Sequence, residues 1–314
     1  MTTQIKQPSD HLSFPDFDDI KVSTKTYTVK TNIDVDIRRV SELLPITDYI
    51  VVPRRRGRKK KGVVIDPNKD VPYGSIITVE CMGNIRGVET KPNKNKNTLK
   101  KKKKQFRNSI TVVIVLDKLI NFKIYKNGTF QMTGCKTHNH VEMCVKYTWD
   151  YIKHDPTLYT YLHGSCLEAL FIPAMRNIDF NLGFKVDREK LDNYISTHTD
   201  WFCLLETSFG YTGVNIRVPL QSPITDLVIK KVELKSVDDD WNEGEMVPYQ
   251  QYLDILTPKE RKIKTNKKGH NTFLVFQSGC TIMSSQCSSF ARPIYYEFLK
   301  VIRDCYEQIE ERLD

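Results

Sequence analysis

Two short strand–turn–strand segments, one near the middle of the chain and one near its end, constrain the fold most. The first is NFKIYKNGTFQMTGCK, Asn121–Lys136. Phe122 and Ile124 alternate with Asn121, Lys123 and Tyr125, the period-two pattern of a strand with one buried face. Asn127-Gly128 predicts a two-residue type I′ turn, which needs positive φ at both positions. A second strand, Thr129–Thr133, is ended by Gly134. The later copy, TFLVFQSGCTIMSSQ, puts Phe273 and Val275 where Phe122 and Ile124 stand, and Ser278-Gly279 in place of Asn127-Gly128. Each hairpin runs into an amphipathic helix. Two such units about 150 residues apart predict a duplicated fold.

The rest of the chain fits two cycles of strand, helix, strands, hairpin and helix. Thr28–Ile37 predicts one strand, with Val29, Thr31, Ile33, Val35 and Ile37 on one face and Lys30, Asn32, Asp34 and Asp36 on the other. A helix is expected over Arg38–Leu44, and strands over Gly74–Cys81 and Ile110–Leu116. Val141, Val145, Thr148, Trp149 and Ile152 recur at helical spacing until His154-Asp155-Pro156 ends the run. Thr157–Ala174 connects the halves, with Cys166–Phe171 expected as helix. The second cycle predicts a strand over Arg176–Val186, a helix over Asp187–Ile195 capped by Asp187, and strands at Phe202–Thr207 and Gly213–Val218. It closes on a helix striped by Ile294, Phe298, Val301, Ile302, Cys305, Ile309 and Leu313. The expected class is α+β, an antiparallel sheet with helices on one face. The expected division is a loose tail over 1–24, a first repeat over 25–154 with a basic insertion at 53–107, a connector over 155–174, and a second repeat over 175–314 with an insertion at 219–270.

Charge is concentrated. Pro53–Arg107 holds 18 Lys/Arg against 4 Asp/Glu, a local +14 in a chain of net +10, which leaves −4 elsewhere. The runs RRRGRKKK (Arg54–Lys61) and KPNKNKNTLKKKKKQFR (Lys91–Arg107) repel themselves and stay solvated. They read either as targeting runs or as arms for nucleic-acid phosphates. The longest apolar run, Ile110–Leu116, is far too short to span a bilayer, and the first residues lack a signal peptide's apolar core. Eight cysteines without paired spacing read as reduced thiols, so an intracellular protein is expected.

These motifs resemble the TATA-box-binding protein (TBP) family, and most of all its divergent relatives in large DNA viruses. Asn32-Ile33 and Asn177-Ile178 match the family's Gln-Asn-Ile. IYKNGTFQMTG and LVFQSGCTIMSS match its Leu-Ile-Phe-x-Ser-Gly-x-x-x-x-Thr-Gly, and a long helix follows each hairpin. The resemblance implies a pseudo-twofold duplicated saddle, a curved antiparallel sheet with helices on the convex face, plus long insertions. Its concave side would lie in a minor groove, pushing apolar side chains between base steps. Carried over, the wedges are Tyr125 and Phe276 at the hairpins, with Phe209 or Tyr211 in the second half and Phe106 in the first. Asn32 and Asn177 sit at the saddle centre, Thr133 and Ser284 reach base edges, and Arg217 matches as well. Implied partners are A·T-rich promoter double-stranded DNA and a TFIIB-like factor or RNA polymerase subunits. The resemblance implies a monomer acting in the host nucleus, in a cytoplasmic viral factory or packaged in the virion.

Several face positions depart from the family pattern. Asp34, Asp36, Asp179, Asn181, Lys123 and Gln131 replace small or apolar residues, and Ser285 replaces a glycine. Carboxylates facing a negatively charged groove are unfavourable. A carboxylate or Gln131 can, however, accept from the guanine amino group, the one donor that the minor groove offers. Tolerance of G·C is therefore expected. The alternatives are a fold of this kind that has lost DNA binding and serves as an interaction scaffold, or a basic nucleic-acid binder working through the two runs alone.

Other constellations carry less. Cys135, His138, His140 and Cys144 are metal-ligating residue types, but Cys144 shares the apolar stripe of Val141 and Val145. Packed thiols and surface histidines are expected, with Cys280 and Cys287 in the core and Asp238–Asp240 a solvated loop. No phosphate loop, nucleophile elbow or Ser/His/Asp arrangement is visible. The reading is non-enzymatic, without metal or cofactor.

Overall fold

The computed structural model describes residues 12–52, 66–89, 107–205, 213–266 and 269–311. In chain order the elements are β1 (Val22–Thr31), β2 (Ile33–Val35), α1 (Ile37–Leu43), β3 (Ile76–Cys81), β4 (Asn84–Gly87), β5 (Ser109–Val115), β6 (Leu119–Tyr125), β7 (Thr129–Cys135), α2 (His138–Ile152), β8 (Tyr159–Tyr161) and β9 (Glu168–Asn181). Then come α3 (Arg188–His198), β10 (Phe202–Leu205), β11 (Gly213–Pro219), β12 (Val228–Glu233), β13 (Glu245–Pro248), α4 (Gln250–Asp254), α5 (Pro258–Asn266), β14 (His270–Phe276), β15 (Cys280–Ser285) and α6 (Ser288–Ile309).

The chain divides into two units. The N-terminal unit is Thr26–Ile172 with Lys230–Met246; the C-terminal unit is Pro173–Ile229 and Val247–Asp314, with Met1–Lys25. Strand order in the first is β1-β7-β6-β5-β3-β4, and in the second β9-β15-β14-β11-β10. Matched as β1/β9, β7/β15, β6/β14, β5/β11 and β3/β10, the two orders are the same. Each unit is α+β, an antiparallel sheet with its helices on one face. Phe122, Ile124, Met132, Val141, Val145 and Trp149 are core residues of the first; Phe273, Val275, Met283, Ile294, Phe298 and Ile302 are core residues of the second.

The duplication is visible atom by atom at a constant spacing of 151 positions. Val35 N–H donates to Lys126 O, and Val186 N–H to Gln277 O. Asp36 and Asp187 each cap the following helix through the side chain, an arrangement that satisfies amides the first helical turn leaves open. Gly128 N–H donates to Tyr125 O, and Gly279 N–H to Phe276 O. Lys30 Nζ donates to Asn127 O, and Asn181 Nδ2 to Ser278 O.

Several expectations are corrected. The hairpin turns are not type I′: Gly128 and Gly279 have φ of +66° and +80°, whereas Asn127 is not among the described positive-φ residues. A turn closed by the fourth residue in the left-handed region is the three-residue hairpin loop, for which glycine suffices. The strand expected over Thr28–Ile37 is two strands. Its backbone bends at Asn32, after which Ile33–Val35 pairs with β8 outside the large sheet. Cys166–Phe171 is not helical, since Glu168–Phe171 opens β9 and pairs with β12. Residues 12–24 are not a loose tail. Phe17 is buried between the Arg176 and Arg292 guanidiniums, 4.9 and 5.2 Å from its ring, and Tyr295 Oη donates to Pro15 O. Within the supposed insertion at 53–107, β3 supplies core residues Ile76 and Val79 and so belongs to the fold; the basic runs, Arg107 apart, lie outside the described residues.

The insertion at 219–270 also has structural work. Its β12 adds to the first half of β9 and brings Lys230 and Trp241 onto α2. Lys230 Nζ donates to Glu142 Oε1 at 2.7 Å, Trp241 Nε1 to Oε2 at 3.4 Å, and His138 Nε2 lies 3.0 Å away at ion-pair distance. Burial pushes the Glu142 carboxyl up, but His138 and Lys230 together outweigh it and hold the group at about 2, below the ordinary 4.5. A depressed carboxyl adds stability that is complete above pH 4.5 and fades as pH falls towards 2. Glu142→Gln is expected to cost about 3 kcal/mol at neutral pH and to flatten this acid limb. Urea midpoints between pH 2 and 6 measure it, and parallel limbs in both proteins would contradict it.

Candidate nucleic-acid interface

Each sheet has one face covered by helices and one without them, and alternation assigns every strand residue to one or the other. In the C-terminal unit Ile178, Phe180, Val214, Ile216, Phe273, Val275, Thr281 and Met283 turn inward and are buried. The intervening residues fall into rows across five strands. One row is Asn177, Ser284, Thr272, Arg217 and Phe202; the next is Asp179, Ile282, Leu274, Asn215 and Leu204. At the end of the sheet Asn181 faces Cys280, and Phe276 faces Gly213. This surface is apolar at its middle, with hydrogen-bonding side chains along one margin.

The N-terminal unit repeats the rows. Thr133, Asn121, Val113 and Thr78 form the first, Gln131, Lys123, Thr111 and Glu80 the second, and Tyr125 faces Ser109 at the end. Val113, Thr78 and Ser109 are buried, so the open part of this face lies over β7 and β6 with Thr111 and Glu80. On β1, Val29 is buried and Tyr27 packs against the core, so Thr26, Thr28 and Lys30 take the open face beside them. At the spacing of 151 they are the counterparts of Asn177, Asp179 and Asn181.

Tyr125 and Phe276 thus occupy the same place, the last residue before each hairpin turn, on the face away from the buried Ile124 and Val275. The Tyr125 hydroxyl donates to Gln131 Oε1 at 2.9 Å. Thr133 is exposed and Ser284 half-buried, both on the open face. Arg217 is exposed there too, its guanidinium 5.3 Å from the Phe202 ring. Lys123 stands between Gln131 and Thr111. The Asp179 carboxylate accepts from the Ser23 hydroxyl at 3.2 Å. An open pocket of about 460 Å³ lies beside the first hairpin, lined by Asp34, Asn108, Tyr125, Lys126, Asn127 and Thr129.

Asn32 does not belong to this face. It is 4% exposed, and its amide donates to His163 O and Cys166 O while its oxygen accepts from Glu168 N–H. Its counterpart at the spacing of 151 is Gly183, whereas that of Asn177 is Thr26. The shared Asn-Ile dipeptide therefore matched the repeats six residues out of register. Asp36 is likewise a helix cap, and Asp34 lies on β2, off the large sheet. Phe106, Phe209 and Tyr211 lie outside the described residues. The residues missed by sequence reasoning are Thr26, Thr28, Thr111, Asn121, Thr272, Leu274, Ile282 and Asn215. The signal that finds several of them is the fixed spacing set by the hairpins and by Asp36 and Asp187.

Among the described residues no group of three or more His, Cys, Asp or Glu side chains is placed to share a metal ion. Cys135 and Cys144 are buried in the core, as the apolar stripe requires, and burial pushes the Cys144 thiol well up. His140 corrects the expectation of a surface histidine. It is 2% exposed, Nδ1 accepts from Lys136 N–H, and Nε2 contacts the Asp117 carboxylate. Cys280 is exposed on the open face and Cys287 half-buried, so neither is a core thiol.

No helix among the described residues is long and apolar enough to cross a membrane. No protein-family model matches the chain. It is 26% identical over 301 residues to "Uncharacterized protein 335L" of Invertebrate iridescent virus 6, a match spanning 92% of this chain and 85% of that protein. Against the solved Methanococcus jannaschii TBP the TM-score is 0.44 at 11% identity, over 92% of this chain and 99% of that one. The chain is therefore similar in sequence to a viral protein, and its duplicated α+β topology stands on its own hydrogen bonds.

Proposed function

We propose that this protein binds double-stranded DNA through the helix-free faces of its two sheets. It enters the minor groove of an A·T-rich promoter element, bends it, and acts without catalysis as a transcription-initiation factor. A TFIIB-like factor or polymerase subunit would dock on the helical side. The observation that carries this reading is the repeated placement of an aromatic ring, Tyr125 and Phe276, before equivalent hairpin turns, on faces away from the core. Rings so placed are suited to unstacking base steps. Around them, Thr133, Ser284, Asn121 and Thr272 supply short donors and acceptors. The basic runs add sequence-independent attraction to phosphates, which weakens steeply with salt.

A second reading has its own support. Asp179 and Glu80 place a carboxylate on each open face, where phosphate oxygens repel them and cationic protein groups do not. On that reading the faces bind protein.

End-to-end energy transfer on a doubly labelled A·T-rich duplex separates the readings. Saturable bending is expected, retained at lower affinity when the runs 54–61 and 91–104 are replaced by Gly/Ser. Unchanged energy transfer at saturating protein favours the scaffold. Binding without bending, abolished with the runs, leaves only general attraction to nucleic acid.

A further inference from the structure

We propose that the hydrogen-bonded pair Tyr125–Gln131 makes the N-terminal unit tolerant of a G·C pair at the position where the C-terminal unit, with Phe276 and Ile282, accepts A·T only. The proposal rests on the minor-groove reading above and identifies the residues that set its base preference.

The two units offer a natural comparison, since Tyr125 and Gln131 are the counterparts of Phe276 and Ile282 at the spacing of 151. Strand register places Gln131 beside Lys123 in the middle row of one face and Ile282 beside Leu274 in the middle row of the other. Backbone and hairpin are shared, so the side chains account for what differs.

In the minor groove A·T and T·A present acceptors only, while G·C adds the guanine amino donor. Phe276, Ile282 and Leu274 offer that donor no acceptor, and the Asp179 carboxylate beside Ile282 already accepts from the Ser23 hydroxyl. Over these three side chains the donor loses water and gains no partner, the costly case of an unsatisfied polar group. The Tyr125–Gln131 pair can answer either base pair. With the tyrosine hydroxyl donating to Oε1, as observed at 2.9 Å, the amide NH2 is left to donate to adenine N3 or thymine O2. Turning the amide over reverses both roles. The NH2 then donates to the tyrosine oxygen, and Oε1 accepts from the guanine amino group. A hydroxyl both donates and accepts, so the pair stays hydrogen-bonded in each state.

The carboxylates expected from sequence to do this are differently placed. Asp36 caps α1, Asp34 lies on β2, and Asp179 accepts from Ser23. On the N-terminal face Glu80 stands three strands from Gln131 in the same row, and Gln131 is the exposed acceptor that contacts the Tyr125 ring's hydroxyl.

The test uses the full chain, an all-A·T duplex and a set in which each base pair is changed singly to G·C. Wild-type protein is expected to lose affinity about 10- to 100-fold for changes in one half of the site and little in the other. Tyr125→Phe with Gln131→Ile keeps the ring and is expected to spread the penalty to both halves. Phe276→Tyr with Ile282→Gln is expected to remove it from both, a gain that misfolding cannot imitate. Equal sensitivity to G·C in all three proteins, with binding and bending intact, overturns the proposal while leaving the DNA reading standing. A wild-type protein that neither binds nor bends the all-A·T duplex overturns the DNA reading, and the proposal with it.

Discussion

Gly279→Ala is expected to cost about 3 to 5 kcal/mol, close to the whole stability of many domains. Two independent terms combine. The residue has φ +80°, a region that costs an alanine about 1–2 kcal/mol. A Cβ there would also overlap the Phe184 carbonyl oxygen and stand 3.2 Å from Asn181 Oδ1. Because the overlapped atom is backbone, relief requires moving the strand exit from the turn. Gly128→Ala meets the same obstacle at the Ile33 carbonyl oxygen. Gly134 separates the terms: its φ is +76°, yet nothing lies within 4 Å of a Cβ built there. Gly134→Ala should therefore show the conformational penalty alone. Urea denaturation of the three variants measures this, and equal losses would mean that the close approach of the two backbones contributes nothing.

Tyr125→Ala with Phe276→Ala is expected to leave the fold in place and remove specific DNA binding. Both rings lie on open faces, whereas their sequence neighbours Ile124 and Val275 are buried core. Stability should change little, as for most surface substitutions. Rings stacked on bases are worth about 1–3 kcal/mol each by truncation, so the pair should lower affinity for the bent duplex by about 2–6 kcal/mol. The salt-sensitive component from the basic runs should persist. Ile124→Ala is the contrasting variant, expected to lose stability through a core cavity. Unchanged affinity and bending in the double variant would remove both rings from the interface.

Local signals in the sequence were reliable where local forces decide. The hairpins, the Asp187 cap and the apolar stripe of α6 from Ile294 to Ile309 depend on neighbours within a few residues, and they stand where periodicity placed them, while Leu313 lies outside the described residues. The bend at Asn32 is different. Alternation runs unbroken from Val29 to Ile37, so nothing nearby marks the break. The bend is held by hydrogen bonds from Asn32 to residues 163–168, more than a hundred positions away. The same holds for Glu168–Phe171: a short apolar run suits helix or strand equally, and pairing with β12 settles it. At the candidate interface the rings and Gln131 were legible from the hairpin motif. Thr26, Thr28 and Lys30 were not, because a chance dipeptide match set the wrong register.

The path of the chain through β12 and β13 bears on how the molecule can be dissected. The polypeptide leaves the C-terminal unit at Ile229, contributes Lys230–Met246 to the other, and returns at Val247, while Met1–Lys25 is assigned to the later unit. Each unit is therefore built from separate stretches of sequence, and cutting the gene at the repeat boundary would leave a piece of each in the wrong fragment. Co-expressed halves, not either one in isolation, are the smallest system in which both folds keep all their residues.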